Sequence, residues 1–124
     1  MGQAPKTVAL ANNVARASAT TESYTITPSG RAGLIIVWDV TVNAQPDHQV
    51  VEIYGVDDVS GEEYLILESG TVDTVTTTVL RVRPGIAAVS NVAANDVLPH
   101  TVNVKITHST ADAVTGTLSA ILTD

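Results

Sequence analysis

The sequence predicts an all-β chain: a single antiparallel β-sandwich of about seven strands on residues 21–124, jelly-roll or immunoglobulin-like, preceded by an N-terminal arm at 1–20. Three observations predict it. Valine and threonine dominate and phenylalanine is absent, and β-branched side chains, stiff at their first torsion, suit a pleated surface. Apolar and polar residues alternate over short stretches, and turn residues separate those stretches at short, regular intervals. Helix-forming runs of Leu, Glu, Lys and Arg are missing.

The organising stretch is GLIIVWDVTVNA at 33–44. Its first half is almost unbroken apolar sequence, as in a central strand covered on both faces, and its second half alternates. One face carries Leu34, Ile36, Trp38, Val40 and Val42, while Asp39 and Thr41 fall on the other.

The other elements follow in chain order. Residues 1–20 are small, contain one early Pro and show no strand or helix period, although Val8, Leu10 and Val14 sketch a short apolar stripe. They read either as a frayed end or as an arm lying on a neighbour. Residues 22–27 alternate Tyr24 and Ile26 with Thr25 and Thr27, and Pro28-Ser29-Gly30 ends that strand. After 33–44 and a connection at 43–47 containing Pro46, residues 49–56 place Val51 and Ile53 opposite Glu52. Asp57, Asp58, Ser60 and Gly61 supply hairpin chemistry, so 64–68 returns antiparallel. Residues 76–83 form a further strand, with Leu80 and Val82 opposite Val79 and Arg81. The connection at 84–100 is longer than the usual ~4–6 residues, and its Ala-rich part predicts a helical turn over 86–92. Val102, Val104 and Ile106 point inward from a strand at 101–107, and 114–122 is the last strand, with Gly116 marking a bulge. The predicted core is Leu34, Ile36, Trp38, Val40, Ile53, Leu80, Val82, Val104, Ile106 and Leu118.

Composition narrows the function classes. A net charge of -7, with six scattered Lys and Arg, works against binding nucleic acid. The absence of cysteine argues against a secreted disulfide scaffold. No apolar run approaches the ~20 residues of a membrane span, and the first residues lack the charged start and apolar core of a signal peptide, so a soluble, cytoplasmically made protein is expected. Asp57, Asp58, Glu62 and Glu63 crowd one hairpin, but their spacing does not match a calcium loop, and a solvated hairpin tip is the simpler reading. His48, His100 and His108 lack metal-ligand spacing and read as surface or loop histidines. No serine sits in a nucleophile elbow and no glycine-rich phosphate loop is present, so no catalytic, cofactor-binding or metal residue is nominated and no cofactor is expected.

Several stretches taken together resemble a family: the small β-rich virion structural proteins of tailed bacteriophages. They are GLIIVWDVT at 33–41, GVDDVSGEEY at 55–64, VLRVRPG at 79–85, ANDVLP at 94–99, and Thr107-His108 with Ala111-Asp112. The chain departs from the pattern at Arg83, where an aromatic is usual, and at Val102, where a Trp is. The resemblance implies a capsid decoration or cement protein on the outer head surface, assembled in the host cytoplasm. Its partners would be the major capsid protein and copies of itself, a trimer first and a dimer second. A tail or head-to-tail component is the alternative, and a carbohydrate- or ligand-binding module a further one.

Within such a protein the expected partner contact is the connection at 84–100, through Ile86, Val89, Val92, Val97 and Leu98. Prolines frame it at both ends, which lowers the ordering cost of binding, and its apolar content exceeds what a solvated loop needs. Capping of the sandwich by the same residues is the competing reading. The acidic hairpin is expected to face water. Ile35, Val37 and Ile121 are outward apolar positions suited to contacts between copies.

Overall fold

The computed structural model describes residues 4–16, 21–43, 48–109 and 114–124, with the backbone alone at 12–16. These form nine strands: β1 (Lys6–Arg16), β2 (Thr21–Ile26), β3 (Gly33–Asn43), β4 (Gln49–Val56), β5 (Glu63–Glu68), β6 (Thr77–Val82), β7 (Ala93–Ala94), β8 (Val102–His108) and β9 (Val114–Thr123). The front sheet has the order β1-β9-β3-β6-β7 and the back sheet β2-β8-β4-β5.

That order answers the question of topology. Leaving out the two-residue β7, the strands pair from the outside inwards, β1 with β9, β2 with β8, β3 with β6 and β4 with β5, like one long hairpin wound into two layers. This is the jelly roll. Antiparallel pairs β3·β9 and β4·β8 close each layer.

The strands form where they do because alternation gives each one a face to bury. β8 alternates Val102, Val104, Ile106 and His108 inward against half-buried residues outward, and β9 does the same with Val114, Leu118, Ala120 and Leu122. Every predicted core residue is buried, and Trp38 is the largest of them. Each fully buried Val, Leu or Ile contributes about 1.5–3 kcal/mol, so the facing layers supply the main stabilising term.

Three expectations are corrected. Residues 6–16 of the stretch read as an arm are not separate from the sandwich: they make β1, which pairs with β9 and buries Ala11. Register shifts between Ala9 and Ala11 and between Ala11 and Val14 break its period, which is why the strand was not legible. Arg31 Nη1 further ties its start down, donating to the carbonyls of Ala4 (2.8 Å) and Leu122 (3.1 Å). Val42, placed inward by strict alternation, is 51% exposed because β3 shifts register between Val40 and Val42. The helical turn at 86–92 is not formed: among the described residues there is no helix.

The polar groups inside the layers are bonded to one another. Trp38 Nε1 donates to Gln49 Oε1 (3.4 Å), and Gln49 Nε2 to Asn43 Oδ1 (2.8 Å). His108, expected at the surface, continues the inward face of β8 and is buried, with Nε2 2.7 Å from Glu22 Oε2. Tyr24 donates to the other oxygen of the same carboxylate.

Candidate functional site

The connection between β6 and β8 is a fixed structure rather than a loose loop. Gly85, at φ +86°, turns the chain after Pro84, and its N–H donates to Asn95 Oδ1 at 2.8 Å. From Val89 the chain doubles back on itself. Val89 and Ala93 exchange both backbone hydrogen bonds at 2.9 Å, with Asn91 in the left-handed region at φ +62°. β7 then runs parallel to β6, where Arg81 N–H donates to Val92 C=O and Arg83 N–H to Ala94 C=O. Asp96 caps the next turn through the Val97 N–H.

This framework sets the five candidate contact residues apart. Val89, Val92 and Val97 are 50%, 43% and 68% exposed, so they are not cap residues of the core. Leu98 is half-buried and packs on the core, as the competing reading had it. Ile86 is half-buried and lines a different cleft, with Arg81 and Arg83.

Val89 stands on one wall of an open groove of about 470 Å³, between residues 88–91 with Ala93 and Ala94 on one side and the edge strand β5 on the other. The opposite wall presents Leu65, which is 48% exposed and was not singled out from the sequence. The signal was there: Tyr64-Leu65-Ile66-Leu67 is apolar without alternation, so both faces of that strand carry apolar side chains. A register shift between Ile53 and Tyr54 accommodates it, pairing Leu67 with Ile53 inside and Leu65 with Tyr54 outside. The groove therefore joins an unpaired strand edge to a rigid apolar ridge, the two ingredients of a protein contact.

The outer face of the back sheet has the opposite character. Glu63 accepts from Lys105 (2.7 Å) and Asn103 (2.8 Å), and these donors hold its carboxyl below the ordinary range, Lys105 first. Lys105 also sits 4.7 Å from the centre of the Tyr54 ring. The Tyr54 hydroxyl donates to Glu52, which together with burial pushes its pKa up to about 12. Ile35, Val37 and Ile121 are half-buried on the outer face of the front sheet, where Ile35 lies between Ile121 and Arg81.

In the β4–β5 hairpin, Asp57 accepts from the Val59 N–H (2.9 Å) and the Ser60 hydroxyl (3.0 Å). Those bonds, Val59 first, hold its carboxyl below its ordinary value. Among the described residues no group of three or more His, Asp or Glu converges on a point where a metal ion would sit. His48 Nδ1 lies 3.1 Å from Ser109 Oγ.

No family model matches the chain, and no curated protein matches it. Among solved structures, one similar chain comes from the structure of infectious bursal disease virus, Gt strain, with a TM-score of 0.47 and 12% identity. The match covers 98% of this chain and 33% of that one, so the chain spans about a third of its neighbour's length.

Proposed function

We propose that this chain is a non-enzymatic virion structural protein of a tailed phage: a capsid decoration or cement protein that binds the outer head surface and strengthens contacts between capsomers. The observation that carries the reading is the pinned connection at 84–100, which holds Val89 exposed across a groove from Leu65 at an open strand edge and leaves Val92 exposed on the same connection. A surface that rigid loses little entropy on docking. Two further points support it. The sequence stretches that resemble phage virion proteins run through both layers of the sandwich, and the jelly roll is an architecture used by viral capsid domains. Lectin domains and cupins share that architecture, so the contact surface and not the fold decides between these roles.

On this reading the partner is the major capsid protein, and copies of the chain, as a trimer or a dimer, meet on the head. The hydrogen-bonded acidic face of the back sheet is turned to water. The test is stoichiometry and position on purified particles. A copy number approaching that of the major capsid protein, with density on the outer shell, supports decoration. A few copies at one vertex or along the tail would identify a connector or tail component instead.

A further inference from the structure

The cleft lined by Ile86 has features that the capsid contact does not use. It holds about 230 Å³ on the outer side of the front sheet, with Gly33, Ile35 and Thr123 beside Ile86, and Arg81 and Arg83 flanking it. Both arginines are exposed, and among the described residues neither guanidinium forms an ion pair or hydrogen bond. In a chain with thirteen carboxylates and six Lys and Arg, two unpaired arginines at one apolar cleft are a concentrated basic site.

The complementary shape is on the same chain. At the tip of the β4–β5 hairpin Val59 is 96% exposed, the most exposed large apolar side chain described. Asp58 and Glu62 stand on either side of it, exposed and without side-chain partners among the described residues. The tip is rigid, because Asp57 N–H donates to Glu62 C=O (2.9 Å) and Gly61 N–H to Asp57 C=O (2.7 Å). One surface is thus an apolar hollow between cations, and the other an apolar knob between anions. Both lie at one end of the sandwich, the end where Ile26 and Gly55 meet Val102, but in different layers, with ~10 Å between the sheets.

We propose that the hairpin tip of one copy docks in the cleft of a second copy, Val59 entering the apolar hollow and Asp58 and Glu62 pairing with Arg81 and Arg83. This deepens the self-association in the proposed function and rests on that reading. The contact joins two different surfaces, so repetition about a rotation axis closes a ring, as a trimer requires.

Sedimentation of the full chain across a concentration series tests it. The unaltered chain is expected to associate with rising concentration, and to dissociate in high salt as screening weakens the charge pairs. Val59→Asp and the double variant Arg81→Glu/Arg83→Glu alter only exposed side chains; each is expected to melt like the parent and to sediment as a monomer. Mixed together they are expected to form a dimer, because one supplies an intact cleft and the other an intact hairpin. A chain that is monomeric at every concentration, an oligomer indifferent to both variants, or a mixture that stays monomeric overturns the proposal. Binding of the same preparations to capsids lacking the protein reports separately on the head-surface reading.

Discussion

The indole of Trp38 on β3 lies over Gly116 on β9, the neighbouring strand of the front sheet: a Cβ at position 116 would stand 2.6 Å from Trp38 Cη2 and 2.9 Å from the Asp39 carbonyl oxygen. The two residues are one packing unit. The register shift in β3 follows directly, between Val40, which pairs with Gly116, and Val42. The bulge sits on the strand opposite the glycine, and the glycine itself makes room for the largest side chain of the core.

Gly116→Ala is therefore expected to destabilise the fold by about 1–3 kcal/mol, the usual cost of overpacking a filled core, even though alanine suits a strand no worse than glycine. Denaturant unfolding measures it. A change below about 0.5 kcal/mol would mean that the indole shifts freely and that the packing unit is not tight.

A second prediction concerns the buried side-chain chain from Trp38 through Gln49 to Asn43. Gln49→Ala removes an acceptor of the buried indole N–H and a donor to the half-buried Asn43, at about 1–3 kcal/mol for a buried polar group that loses its bond. Thermal unfolding should show a clear drop, and Trp38 fluorescence in the folded state should change as well. An unchanged melting temperature would show that water replaces the glutamine.

The strands that alternate strictly were legible because one buried face leaves its parity in the sequence, as at Val102, Val104 and Ile106. The same parity continues to His108, whose burial was there to be read two residues beyond the last valine-type position. What failed did so for local reasons. In β1, two register shifts erase the period of 2. In 86–92, alanine content points to helix, but Asn91 in the left-handed region and the reciprocal bonds of Val89 and Ala93 close a tight loop instead. Of the candidate contact residues, exposure of Val89, Val92 and Val97 was expected from an apolar excess in a long connection. The groove that Val89 borders was not, because Leu65 reaches it only through the shift in β5.

The titrating groups give a third prediction, with opposite signs at the two ends of the pH scale. Asp57, held below its ordinary value of 3.8 by the Val59 N–H and then Ser60, contributes stability that is present above 3.8 and is lost as pH falls through its lowered value. The Val59 amide resonance should follow that titration, with a midpoint under 3.8. Tyr54 runs the other way: its contribution is full below 10.0 and is lost as pH rises towards about 12. An absorbance titration should contain a step near 12 that Tyr54→Phe removes. A Val59 midpoint above 3.8, or a Tyr54 step at 10.0, would contradict the hydrogen bonds that define these sites.

The central claim, that the ridge at 84–100 makes the contact with the capsid, is tested most directly by replacing Val89 and Val92 together with serine and measuring binding to capsids lacking the protein alongside thermal stability. Both side chains are about half exposed, so the change in stability is expected to stay within about 0.5 kcal/mol. Binding should be lost while the melting temperature holds. A melting temperature lowered by many degrees, with binding intact at low temperature, would contradict the account and return these residues to the core.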